Sequence, residues 1–306
     1  MMHAVGRALC GWQTFYTPYY ADRLLESLRP TGFLERTVLG GELRRRTVQY
    51  LVEQGLPLDP AGQTGGYDLV VTCSDLIVQK NIRGVPIVLV QEGMTDPETL
   101  VYRVVRRFGL PRWLASTATT GLSLAYRRFC VASDGYRELF LAKGIPSQKI
   151  VVTGIPNFDN CASFQENEFP YRGYVLVATS DTRETFKWDN RKYFLAEVER
   201  IAAGRPLLFK LHPNEDFSRS EREIRRIFPR APVFREGDIN PMIANCTVLI
   251  TQYSTCVYVG LALGKECHSR FDLEQLRRLL PLQNGGTSAA TIASVCREIL
   301  GLREAA

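Results

Sequence analysis

Apolar residues in this chain gather in short, nearly continuous runs, and the stretches between them repeat apolar positions at helical spacing. In the first half the runs are Asp68–Cys73, Pro86–Gln91, Arg128–Ala132 and Lys149–Thr153. In the second they are Tyr174–Thr179, Pro206–Leu211, Pro232–Phe234 and Thr247–Thr251. Unbroken Val, Ile and Leu without polar alternation is the pattern of strands buried on both faces of a parallel sheet. Between them, Asp134 is positioned to cap a helix that passes through Tyr136, Leu139 and Phe140 and stops at Gly144. Asn190–Gly204 and Ser254–Gly264 read likewise. Strand–helix alternation through both halves predicts two α/β domains, 1–160 and 161–306. The boundary is expected in Phe158–Gly173, where Asn, Gln, Glu, Pro and Arg replace the apolar pattern. Two such domains facing each other leave a central cleft, with ligands at the carboxyl ends of the strands. The residues just after each apolar run are therefore the candidates for chemistry.

A length of 306 residues agrees with two domains, and 45% hydrophobic with 23% charged residues excludes disorder, collagen and coiled coil. The longest apolar stretches, Cys256–Gly264 and Val85–Val90, fall short of the roughly 18 residues of a membrane span. Met1–Tyr20 has no basic segment leading into an apolar core, so no signal peptide is expected and a cytoplasmic location is. Eight scattered cysteines without Cys-x-x-Cys, and only three histidines, give no zinc spacing; the thiols are expected to be reduced and structural. The net charge is +6, and it is local. Residues 101–130 hold six arginines and no Asp, Glu or Lys. Arg103, Arg106, Arg107 and Arg112, interleaved with Tyr102, Phe108, Trp113 and Leu114, suit the inner face of an anionic membrane or a solvated helical face. No nucleic-acid motif accompanies the charge, so nucleic acid is not an expected partner.

After Pro206–Leu211 comes His212-Pro213-Asn214-Glu215, with Lys210 still at the strand end. An imidazole there can donate to a phosphate oxygen, or bond only to backbone. After Thr247–Thr251 comes Gln252-Tyr253-Ser254-Thr255, leading into a helix; its hydroxyls and N–H groups either form an anion site or simply cap that helix. After Tyr174–Thr179 comes Ser180-Asp181-Thr182-Arg183-Glu184-Thr185, a turn rich in donors that either holds phosphate or is an ordinary loop. After Pro86–Gln91 comes Glu92-Gly93, whose carboxylate is a candidate general base or an arginine partner. The stretch Pro281–Ser288 reads as a turn plus cap or as a substrate-touching loop. No P-loop occurs, because Gly264-Lys265 is followed by Glu266, and no Gly-x-Gly-x-x-Gly follows the first strands. Asp-x-Asp is absent too, so no metal cofactor is expected, and a diphosphate must be met by His, Arg, Lys and helix dipoles.

Lys210-Leu211-His212-Pro213, then Thr251-Gln252-Tyr253-Ser254-Thr255 about forty residues later, then a helix ending Leu263-Gly264-Lys265, resembles the C-terminal domain of GT-B glycosyltransferases. Val131-Ala132-Ser133-Asp134 and Val152–Asp159 resemble the stretch closing their N-terminal domain. The likeness is to branches with a His-Pro and a Ser/Thr motif: bacterial sialyltransferases, CMP-Kdo transferases of capsule and lipopolysaccharide synthesis, and CDP-glycerol glycerophosphotransferases. It implies two Rossmann-like domains, acceptor-side and donor-side, and metal-independent transfer of a sugar from a nucleotide-sugar to a cell-surface saccharide or lipid-linked acceptor. By that likeness His212 and Pro213 bind the donor phosphate, His212 also acts on the leaving group, and Ser254 and Thr255 hold phosphate oxygens. The sialyltransferase-like branch has two adjacent acids before a glycine; here the first is Gln91, so the base role passes to Glu92. The ribose-contacting acid of many GT-B enzymes has no counterpart near Tyr258 and Val259. Two other functions share the fold: a UDP-sugar 2-epimerase, for which His3 and His268 are the only further histidines, and a degenerate nucleotide-binding module.

Overall fold

The computed structural model describes residues 1–22, 26, 41–184 and 189–301. The chain forms two compact units, Met1–Asn157 with Gly286–Ala306, and Phe158–Gly285.

The first unit holds α1 (Met2–Ala8), α2 (Gly41–Glu53), β1 (Val70–Thr72), β2 (Ile87–Val90), α3 (Leu100–Phe108), β3 (Arg128–Val131), α4 (Asp134–Ala142) and β4 (Ile150–Val152). Its strands make a parallel sheet in the order β1-β2-β3-β4. The second unit holds β5 (Val175–Ala178), α5 (Arg191–Ala202), β6 (Leu207–Lys210), α6 (Phe217–Ile227), β7 (Val233–Phe234), α7 (Ile239–Asn245), β8 (Val248–Thr251), α8 (Val257–Ala262), β9 (Glu266–His268) and α9 (Leu273–Arg278). Its parallel sheet runs β7-β6-β5-β8-β9.

Burial explains the unbroken apolar runs. Val88, Leu89 and Val90 of β2, and Val175, Leu176 and Val177 of β5, have no exposed surface. Val175 and Val177 pack with Phe194 and Val198 of α5, Phe209 of β6 and Ile250 of β8 in the core of the second unit. Strand β9 stands at an edge and begins with Glu266, which is why its apolar signal is weak.

Three helix starts follow the sequence reading with local differences. Ser133, not Asp134, caps α4, its Oγ accepting the Tyr136 N–H at 3.3 Å; Asp134 occupies the first turn. Asn190 caps α5 through the Tyr193 N–H at 3.1 Å. Helix α8 begins at Val257 rather than Ser254, because Ser254 and Thr255 form a turn whose carbonyls accept the Val257 and Tyr258 N–H groups at 3.3 and 3.0 Å. The last helix, α10 (Ser288–Ile299), packs against α1 and so joins the first unit, not the C-terminal one in which the sequence reading places it. Arg297 fastens it there by donating to the Ala8 carbonyl at 3.0 Å. All eight cysteines are free thiols, seven of them buried or half-buried and Cys10 exposed. No helix among the described residues is long and apolar enough to cross a membrane.

Candidate functional site

In the second unit the strand order turns at β5, which pairs with β6 on one side and β8 on the other. Ala178 stands opposite both Lys210 and Thr251. Neighbouring strands lie about 4.8 Å apart, so the chains leaving β6 and β8 emerge roughly 10 Å apart, with the β5 loop between them. A crevice at such a switch point is where open α/β sheets bind ligands.

A buried carboxylate holds these loops together. Glu215, the fourth residue of His212-Pro213-Asn214-Glu215, accepts from the Thr179 hydroxyl, the His212 N–H at 3.0 Å, the Arg191 guanidinium and the Ser220 hydroxyl at 3.2 Å. It thereby ties the ends of β5 and β6 to the starts of α5 and α6. The sequence marks Glu215 only as a carboxylate three residues beyond a strand-end His, just before a helix cap at Asp216. Asp189 and Arg191 were missed. Gln252 donates to Asp189 at 2.8 Å, which fastens the β8 loop to the same buried network.

His212 is about a third exposed, with its ring fixed. The Asn214 N–H donates to Nδ1 at 3.3 Å, so in the neutral ring the proton sits on Nε2. Nε2 has no partner among the described residues. Asp181 lies 3.6 Å from Nδ1 and accepts from the Asn214 side chain at 2.9 Å, and Pro213 sets the turn between the two. Across β5, the Ser180 hydroxyl accepts the Tyr253 N–H at 3.1 Å, joining the β5 and β8 loops directly. Tyr253 is half exposed and stacks edge-on against Phe271. Ser254 Oγ accepts the Cys256 N–H at 3.4 Å, a local turn bond, while Thr255 is exposed with its N–H and hydroxyl unpartnered among the described residues. Thr182 is buried in the β5 loop.

Two predicted phosphate ligands point elsewhere. Arg183 donates to Glu223 at 2.9 Å and to Ser220 at 3.2 Å; burial opposes its charge, but Glu223, Asp189 and Glu215 more than offset this and raise its pKa. Lys210 donates to the Leu211 and Arg235 carbonyls at 3.1 and 2.9 Å, with its pKa lowered by burial against the pull of Asp238, Glu215 and Glu236. Both cations are occupied inside the protein. Thr185 lies outside the described residues. Tyr258 and Val259 are core residues. Gln283 of the Pro281–Ser288 stretch is structural: it accepts the Cys161 N–H at 3.0 Å and donates to the Phe158 carbonyl at 2.5 Å.

In the first unit, Gln91 at the end of β2 is buried, accepts the Ala132 N–H at 3.0 Å and donates to the Gly93 carbonyl at 2.8 Å. The position uses one acceptor and one donor, which an amide supplies and a carboxylate does not. Glu92 reaches solvent, yet enough protein surrounds its carboxyl that burial holds its pKa above the ordinary range, against the Met1 amino group. In the basic segment Arg106 donates to the Tyr102 hydroxyl at 3.1 Å and Arg112 to the Asp75 carbonyl at 3.0 Å. Trp113 is 43% exposed.

No protein-family model matches this sequence, and no curated protein does. Solved structures do resemble the fold. A UDP-GlcNAc 2-epimerase from Neisseria meningitidis bound to UDP-GlcNAc is 13% identical, with 83% of this chain and 80% of that one aligned at a TM-score of 0.50. The S. aureus MnaA–UDP complex is 11% identical over 85% and 78%, TM-score 0.52. HepE from Anabaena in complex with UDP is 11% identical over 95% of this chain and all of that one, TM-score 0.50. Together with the four- and five-stranded parallel sheets, these likenesses define a GT-B-like fold.

Proposed function

We propose that this protein is a glycosyltransferase that moves a sugar from a nucleotide-sugar donor to a cell-surface saccharide or glycolipid acceptor, without a divalent metal in the donor site. One observation carries the reading: strand order β6-β5-β8 brings the His212 loop and the Ser254–Thr255 loop to either side of Ser180, joined through Glu215 and Asp189. In this reading the donor diphosphate lies over Ser180. The Nε2–H of His212 donates to a phosphate oxygen from one side, and the N–H and hydroxyl of Thr255 donate from the other. The bond between the sugar carbon and the phosphate oxygen breaks, and its electron pair leaves with the nucleotide. The acceptor oxygen bonds that carbon while its proton passes to Glu92. Each preorganised donor to the leaving group contributes about 10²–10³-fold, and a positioned base about 10²–10⁴-fold. UDP and UDP-GlcNAc in the similar structures support a nucleotide-sugar as the ligand.

Two measurements test this. Melting curves with CMP, UDP, GDP and CDP identify the base, since a ligand at a hundredfold excess over its Kd stabilises the fold by about 2.7 kcal/mol. His212→Ala is then expected to lose at least about a hundredfold in transfer while remaining folded. Undiminished transfer by that variant ends the proposal, and nucleotide binding with no transfer across a donor panel indicates a binding module instead.

A 2-epimerase is the second reading, favoured by the likeness to the Neisseria enzyme. Against it, both remaining imidazoles are engaged, His268 with Glu266 at 2.8 Å on edge strand β9 and His3 with the Tyr50 hydroxyl at 2.8 Å. Incubation with UDP-GlcNAc alone separates the two, because only an epimerase yields the 2-epimer without acceptor.

A further inference from the structure

Helix α3 turns an apolar face outward. At about 100° per residue its nine residues divide into three arcs. Tyr102 and Val105 form the inward arc and pack on Ala115 and Ala118. Leu100, Val101, Val104 and Phe108 fall within about 100° of one another on a second arc and are 76, 52, 45 and 71% exposed. Arg103, Arg106 and Arg107 occupy the third. The segment Arg112–Thr119 packs beside α3 and extends the patch with Trp113 and Leu114, 43 and 45% exposed, after Leu110 at 40%. Contiguous exposed apolar surface of this kind marks an interaction site.

The charge on the helix itself has one sign. Arg103 and Arg107 make no ion pair among the described residues; Arg107 only overlies the Phe108 ring at 6.0 Å. The two acids just before the helix are engaged elsewhere, Asp96 with the Thr117 hydroxyl at 2.7 Å and Glu98 3.9 Å from the Lys143 ammonium. The arginine arc borders the apolar arc along the helix, so long stems can lie on the apolar surface while guanidinium groups stand at its rim. That pairing of an apolar arc with an unneutralised cationic flank and a border Trp is the chemistry of a bilayer interface.

We propose that α3 and the turn after it dock the first unit on an anionic lipid surface, with Leu100, Val104 and Phe108 entering the acyl boundary and Arg103 and Arg107 at the phosphates. The proposal goes beyond the catalytic reading and does not need it; an active His212→Ala variant would leave it standing. The test is co-sedimentation of the whole protein with vesicles of phosphatidylcholine containing about 30% phosphatidylglycerol, against phosphatidylcholine alone. Binding is expected on the anionic vesicles and is expected to weaken with salt as the Debye length falls from about 10 Å at 0.1 M to about 3 Å at 1 M. Neutralising Arg103 and Arg107 with Gln is expected to weaken binding about fivefold per arginine. The pair Leu100→Ser and Phe108→Ser, at exposed positions and checked for folding by circular dichroism, is expected to lower it about tenfold or more. Equal binding to both vesicle types, none at low salt, or binding unmoved by either double variant overturns the proposal. So does self-association that Leu100→Ser and Phe108→Ser abolish in a protein that binds no vesicles, which assigns the face to a second copy.

Discussion

Replacing Glu215 by Gln removes one negative charge from a pocket where four donors converge. The carboxylate has no exposed side-chain surface, and it accepts from Thr179, His212, Arg191 and Ser220. An amide of the same shape keeps one accepting oxygen and turns an NH₂ group toward donors. Arg191 is then left with Asp189 and Glu223 at 3.7 and 3.8 Å, beyond hydrogen-bond range. Removing one partner of a buried ion pair costs about 3–5 kcal/mol. Because Thr179 and His212 close the ends of β5 and β6, the loss is expected to show as local opening there. At about 1.4 kcal/mol per tenfold, amide exchange in Val175–Ala178 and Leu207–Lys210 is expected to accelerate by roughly two to four orders of magnitude. Amides of Ile87–Val90 in the first unit serve as the internal control. Adding Arg191→Met is expected to recover part of the protection, since an unpaired buried charge is the costly species. Unchanged exchange in β5 and β6 of the single variant refutes the account of Glu215 as the tie between these loops.

The acid that the sialyltransferase-like pattern carries can be restored as Gln91→Glu: it keeps the bond from Ala132 but sets an oxygen against the Gly93 carbonyl, so the urea midpoint is expected to fall by the equivalent of about 1–3 kcal/mol. That loss should shrink on acidification, because a protonated carboxyl can donate to Gly93, and a pH-independent midpoint shift would contradict the geometry. For Glu92, burial raises the pKa, so as a base it is active above that pKa; the transfer rate is expected to fall on acidification at a pH higher than a free glutamate would give. Glu92→Gln is expected to remove that acidic limb along with about 10²-fold or more of the rate, and a retained limb assigns the proton elsewhere. Brief maleimide treatment of the native protein at pH 8 is expected to label Cys10 alone, as burial pushes Cys73, Cys267 and Cys296 up to about 12 and leaves them without thiolate. Mass spectrometry showing several rapid adducts would contradict that burial.

Each of the eight apolar runs became a strand, because a run of Val, Ile and Leu too short for a buried helix fits little else. Strand β9 escaped notice because its residues, Glu266, Cys267 and His268, carry no such run; pairing with β8 makes it a strand. The positions of the candidate residues were legible, since each follows a strand. Their orientations were not. Arg183 and Lys210 looked like phosphate ligands in one dimension, but the Glu223 carboxylate that engages Arg183 lies 40 positions away and the Arg235 carbonyl that engages Lys210 lies 25 away. Glu215 is the converse case, adjacent in sequence to a recognised motif yet meaningful only once β5, α5 and α6 surround it.

The helix pair α1 and α10 draws partners 289 positions apart into one bond, Arg297 to Ala8. Everything from Phe158 to Gly285 is thus an excursion with both ends rooted in the same neighbour. During synthesis, α1 emerges early and meets its helical partner only after the strands of both sheets have been made. Trimming the chain just before Ser288 would remove the helix that α1 packs against, an injury at one terminus felt at the other.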